Sequence, residues 1–249
     1  MTTPDTNRAV PATDAAAFVS THWSLVVRAS GSSPEQAAAA LEILCKAYWY
    51  PLYAFVRRQG HAPHDAQDLT QEFFARLLAR RDLEHVNPAK GRFRSFLLAS
   101  MNHFLANEWD KARALKRGGG RQAISLDEAD AEGRYAQEDS PSLSPEMLFE
   151  QRWAMTVLDA AMARLRVEFS AAGKARQFEV LKDFLSGVAA DGDYAAVAGS
   201  LGLNPGAVAV AVHRLRQRYK ELVRVEIAET VASPLDVEDE MRHLFAALG

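Results

Sequence analysis

Leu201-Gly202-Leu203-Asn204-Pro205-Gly206-Ala207-Val208 decides how the last third of this chain folds. A glycine can close one helix by taking up a left-handed backbone. An asparagine then offers its side-chain oxygen to the first free amides of the next helix, and a proline at the first helical position is already set for helical geometry. Upstream, Tyr194, Val197, Ala198 and Leu201 recur at three- and four-residue spacing. Downstream, Val208, Val212, Leu215, Tyr219 and Leu222 do the same. Two helices meeting at a tight turn are expected over 194–219, with Leu203 plugging the angle. The run His213-Arg214-Leu215-Arg216-Gln217-Arg218 separates a helix-turn-helix from a plain helical hairpin, because its cations suit a helix lying in a major groove.

Helical spacing of apolar residues extends along the chain, no long run alternates with period two, and the fold class is all-α. Ser33-Pro34 starts a helix running toward Cys45, and Tyr48 to Arg58 follows, ended by Gly60. A short helix is expected at His22 to Arg28 and a turn at Asn87 to Gly91. A long helix runs from Phe93 to about Lys116 and stops at Gly118-Gly119-Gly120. Residues 118–144 hold glycine, serine, proline and acids with weak periodicity, the composition of an acidic linker. Helices follow over Pro145 to Phe169 and Lys174 to Leu185, and Ser233-Pro234 breaks the chain before a short amphipathic helix from Val237 to Leu248. The expected layout is a loose tail over 1–20, a helical domain over 21–117, the linker, a helix-turn-helix domain over 145–232 and an extension over 233–249.

Among 249 residues, 48% are hydrophobic, enough for cores. Cys45 is the single cysteine, which excludes an internal disulfide and a cysteine zinc cluster. No stretch reaches the length of a membrane span and Met1 to Ala17 lacks an apolar core, so no membrane insertion and a cytoplasmic location are expected. The net charge of −3 conceals segregation. Asp110 to Arg121 has five basic residues against one acid, and Gln122 to Glu150 has eight acids against one arginine. Ala211 to Arg224 has five basic residues against Glu221, and Val225 to Gly249 has six acids against Arg242. Solvated faces could alternate this way, but a nucleic-acid binder that limits non-specific adhesion fits better. Opposite charge also allows the acidic extension to fold back on the basic helix and restrain it.

Asp65-Ala66-Gln67-Asp68-Leu69-Thr70-Gln71-Glu72-Phe73-Phe74 forms a helix with Ala66, Leu69, Phe73 and Leu77 on one stripe and Asp65, Asp68 and Glu72 on another. Periodicity alone makes this an ordinary solvated face. Between it and the helix-turn-helix, Phe93, Phe96, Phe104 and Trp109 interleave with Arg92, Arg94, Lys111, Arg113, Lys116 and Arg117. Phe96 and Phe104 suit a core; Trp109 and the cations beyond it suit bases held outside the stack. No Walker loop, Gly-x-Ser-x-Gly or His-Glu-x-x-His is present, and the acids of one helix do not close a metal shell. No catalytic residue, metal or cofactor is expected, and the protein reads as no enzyme.

The ten-residue acidic string closely resembles the Asp-Ala-Glu-Asp-Leu-Val-Gln-Glu-Thr-Phe string of extracytoplasmic-function (ECF) sigma factors of the sigma-70 family. The resemblance spans about residues 40–121 and 150–225. It implies that Asp65, Asp68, Gln71 and Glu72 dock on the β′ clamp helices of core RNA polymerase. It also implies that Phe93 to Arg117 melts and reads the minus-ten element of promoter DNA through Asn102, His103, Asn107, Trp109, Lys111, Arg113, Lys116 and Arg117. Asn204, His213, Arg214, Arg216 and Arg218 would hold the minus-thirty-five element. An anti-sigma factor or other regulator is a further partner that the resemblance leaves room for. The chain departs from the family pattern where Asn102-His103 replaces Arg-Asn, Asn107 replaces Asp, and Ala209-Val210-Ala211 replaces Lys-Ser-Arg. Those last side chains cannot hydrogen-bond bases, so backbone positioning should outweigh base readout there. Two other classes fit the same residues: a helix-turn-helix regulator that does not engage polymerase, and an interaction adaptor without DNA contact.

Overall fold

The computed structural model describes residues 34–79, 92–114, 128–137, 142–187, 192–231 and 233–249. The helix expected at 22–28, the turn at 87–91 and the glycine stop at 118–120 lie outside them. Every regular element among the described residues is helical: α1 (Pro34–Arg58), α2 (Pro63–Ala79), α3 (Phe93–Ala114), α4 (Glu128–Gln137), α5 (Pro145–Ala171), α6 (Ala175–Leu181) with a 3-10 turn (Lys182–Leu185), α7 (Asp193–Leu201), α8 (Pro205–Ala228), a second 3-10 turn (Pro234–Asp236) and α9 (Val237–Leu248).

The two helices expected on either side of Lys46-Ala47 are one, because no glycine or capping side chain interrupts them there. α1 continues through Pro51 and buries Leu44, Tyr48, Leu52 and Phe55 on one stripe. Gly60, at φ 96°, ends it in the left-handed region. α2 turns Ala66, Thr70, Phe73, Phe74 and Leu77 inward, whereas Leu69 is half-buried. α3 buries Phe93, Leu97, Met101, Phe104 and Leu105, and leaves Phe96 half-buried.

α5 is the spine. Ser144 caps it by accepting from the Met147 amide at 3.2 Å, and Pro145 occupies its first turn. Its 27 residues extend about 40 Å at the helical rise. Toward its N-terminal end Phe149 meets Phe55 of α1 edge-on at 6.5 Å; farther along, the Leu158 carbonyl accepts from the Tyr219 hydroxyl of α8 at 3.1 Å. The α1–α5 packing is the most extensive between any two of the described helices, and one buried cluster runs from Leu44 to Leu244. The stretch 118–144, read as a linker, contains α4. Glu132 of α4 accepts from Arg57 Nε at 2.9 Å and from the Tyr53 hydroxyl, and Ala131 is buried. A ten-residue helix carrying mostly polar side chains gains its order from these contacts with α1, which periodicity does not register.

α7 and α8 meet at 95°. Gly202, at φ 64°, directs its N–H back to Ala198 and Gly199, and the Leu203 amide bonds the Ala198 carbonyl at 3.0 Å. Asn204 Oδ1 accepts from the Ala207 amide at 2.8 Å. A Cβ on Gly206 would lie 3.3 Å from that oxygen, so glycine leaves room for the cap. Leu203 does not plug the angle: it is 39% exposed, and the buried side chains flanking the turn are Ala198 and Val208. α9 follows the Ser233-Pro234 break over the expected residues and packs on α5 and α8.

Candidate functional site

The acidic face of α2 is open to solvent at its start and tied down toward its end. Asp65 is exposed; Asp68 lies 3.4 Å from the His64 ring with nearly half its side chain accessible. Gln71 is half-buried, and its Nε2 is enclosed without a hydrogen-bond partner. Glu72 binds Arg76, whose other nitrogen donates to Glu108 of α3 at 2.6 Å and whose guanidinium lies 5.0 Å from the Phe104 ring centre. Arg76 thus welds α2 to α3 and places Asp65, Asp68, Gln71 and Glu72 on one helix beside α3. A half-open cavity of about 260 Å³ at the first turn of α2 is lined by Trp49, Tyr53, Pro63, His64, Gln67 and Ala131.

On α3, Asn102, His103, Asn107 and Trp109 are all exposed, Trp109 to 64%. The Asn102 side-chain oxygen accepts from Gln59 at the end of α1, 3.2 Å away. Lys111 and Arg113 belong to the last turn of α3 and their side chains lie outside the described residues, as do Lys116 and Arg117 entirely.

The basic run of α8 separates into free and engaged cations. His213 and Arg214 are exposed, and neither forms an ion pair with another described residue. Arg216 points back into the protein, donating to the Phe184 carbonyl at 2.9 and 2.6 Å and to the Gly187 carbonyl at 2.5 Å. Arg218 bridges Glu168 of α5 and Glu221, each at 2.7 Å. Arg218 holds the Glu168 carboxyl below the usual range, and Glu168 and Glu221 raise the Arg218 guanidinium further. Asn204 is spent on its helix cap. Val210 is half exposed, so the first turns of α8 present an apolar strip rather than hydrogen-bonding groups.

A cluster that sequence reading did not assemble joins α3, α5 and α9. Arg94, 3% exposed, lies between Glu150 and Glu240, with its guanidinium carbon 4.4 Å from the Trp153 ring centre. Burial pulls this guanidinium below its ordinary value, opposed by Glu150. Arg92 bonds Asp239 and lies 2.7 Å from Glu240, itself 1% exposed. Glu238 takes Arg224 of α8 at 2.9 Å. Among the described residues the acids of the extension meet α8 through Glu238, which pairs with Arg224 and feels Lys220, and they fall mainly on the start of α3. Each charge was legible, but Arg92 and Arg94 lie 146 to 148 residues from Asp239 and Glu240, a separation no local pattern spans.

Among the described residues, no group of three or more His, Cys, Asp or Glu side chains is placed to hold a metal. No single described helix is long and apolar enough to cross a membrane. No curated protein and no solved structure matches the chain. Residues 44–114, which run from within α1 to the end of α3, match the family model of Sigma-70 region 2. The acidic helix, its weld to α3 and the exposed polar face of α3 all fall inside that match, which supports a member of the sigma-70 family.

Proposed function

We propose that this protein is a transcription initiation factor of the ECF type, which binds core RNA polymerase and directs it to promoters. The observation that carries the reading is the region 2 match over α1–α3, because region 2 is the polymerase-binding part of sigma-70 factors. In this reading Asp65, Asp68, Gln71 and Glu72 meet the β′ clamp helices. The exposed face of α3, with Asn102, His103, Asn107 and Trp109, then captures bases of the opened minus-ten element. The cations Lys111, Arg113, Lys116 and Arg117 hold phosphates beyond it.

The pair α7–α8 acts as a helix-turn-helix on upstream DNA. His213 and Arg214 supply its outward contacts, Asn204 and Arg216 shape the motif, and Arg218 reaches DNA only on leaving Glu168. No reaction chemistry belongs to this chain; polymerase forms the phosphodiester bonds. The two functional segments, 21–117 and 145–232, share one core where α1 packs on α5, and the place of action is the cytoplasm.

Fluorescence anisotropy against bacterial core RNA polymerase tests this. Asp65→Arg with Asp68→Arg is the informative variant, since Glu72 is committed to Arg76 and its reversal would disturb the α2–α3 weld. Tight binding by the natural chain, weakened at least tenfold in the variant, is expected of two reversed interfacial charges. Absence of binding by the natural chain would leave a DNA-binding regulator.

A further inference from the structure

We propose that α9 is a detachable acidic cover: it masks Arg92 and Arg94 at the start of α3, and its release exposes both arginines to a nucleic-acid backbone. The proposal rests on the reading of α3 as DNA-facing. Three consecutive acids of α9 each engage a cation from another element: Glu238 with Arg224, Asp239 with Arg92, and Glu240 with Arg92 and Arg94. Arg94 Nη1 and both Glu240 carboxylate oxygens are enclosed without a well-formed hydrogen bond, so charge holds the pair. A charge pair of this kind needs both members in place, because either one left alone in the interior is strongly unfavourable.

The apolar anchoring of α9 is slight. Of its twelve residues Met241 and Leu244 are the fully buried hydrophobics, with Val237, Ala247 and Leu248 half-buried against the core, whereas α5 buries Leu148, Phe149, Trp153, Val157 and Leu165. Phe245 is 56% exposed, and Leu235, in the turn leading into the helix, is 91% exposed. A peripheral helix with so few buried contacts opens locally at far lower cost than the spine it rests on. Opening leaves Arg92 and Arg94 flanking Phe93 at the first turn of α3, with Glu150 the acid that still opposes Arg94 among the described residues. Two guanidiniums so close together call for anionic oxygens, and a phosphate backbone supplies them at regular spacing. α9 thus stands in for nucleic acid until nucleic acid displaces it.

Hydrogen exchange on the full chain tests the cover directly. The amides of α9 are expected to exchange at least tenfold faster than those of α5. Glu240→Gln should accelerate α9 on the order of a hundredfold, with α5 little changed. The same variant should bind a non-specific DNA duplex roughly tenfold more tightly at low salt, with a salt dependence steeper by about one to two released counterions. Asp239→Asn, at a half-exposed position, should move both readouts the same way by less, and it preserves the test if the buried variant loses helicity. Amides of α9 that exchange as slowly as those of α5, in the natural chain and in Asp239→Asn alike, would overturn the proposal. So would an α9 that opens without any gain in duplex affinity. Polymerase binding reads the proposed function separately: a variant that opens and binds duplex more tightly, yet never engages polymerase, keeps the cover and removes the initiation-factor reading.

Discussion

Arg214 and Arg216 are two positions apart on α8 and have opposite employments. Arg214 is exposed, whereas Arg216 donates to two backbone carbonyls and fastens the turn after α6 to α8. Arg214→Ala should leave stability within about 0.5 kcal/mol, weaken DNA binding and lower its salt slope by about one. Arg216→Ala should cost about 1–3 kcal/mol in urea unfolding, because carbonyls at Phe184 and Gly187 lose their donor. Equal stability losses in the two variants would show that the employments are misassigned. Sequence displays both as members of one basic run; which of them turns inward depends on a carbonyl 32 residues upstream.

At the scale of elements, α5 carries the architecture. Trp153 is fully buried beneath the Arg94 guanidinium, between the α1 contact at Phe149 and the α8 contact at Leu158. Trp153→Ala should cost about 3–5 kcal/mol, measured by denaturant titration, and should loosen α3 and α9 along with α5. The helices themselves were legible. Pro34, Pro63, Pro145 and Pro205 each occupy a helical first position, and Gly60 and Gly202 each close a helix. The stripe on α8 follows the expected spacing, with Val208, Val212, Leu215 and Leu222 buried and Tyr219 half-buried. α4 was not legible, because its order comes from Tyr53 and Arg57 on α1 rather than from an apolar face of its own.

Over the whole molecule, distant segments are tied by carboxylates that arginines hold below their usual range: Glu132 by Arg57, Glu168 by Arg218, Glu238 by Arg224 and Asp239 by Arg92. A carboxyl with a lowered folded value contributes stability that is fully present above its unfolded value, and that stability is lost as pH falls through the folded one. Glu229 has the opposite sign, since burial raises it and protonation relieves that burden. Glu42 and Glu179 are lowered too, by cations close to them in sequence or across a helix pair. Among the described residues the lowered carboxyls outnumber the raised one, so melting temperature should hold from pH 7 to about 5 and decline below about 4. A thermal melt at least as high at pH 3 as at pH 7 would refute this ledger of signs.

The sequence by itself determined which of the described segments other than α4 are helical, where most of them begin and end, and that cations and acids alternate along the chain. Those properties are local, set by backbone preferences and by neighbours three or four residues apart. Only the tertiary structure decided that α5 joins the first helices to α7 and α8 through one continuous core, that Arg216 faces inward, and that Glu240 lies buried against Arg94. Pairings across 32 to 148 residues depend on which surfaces meet when the helices pack, and no local spacing encodes that choice.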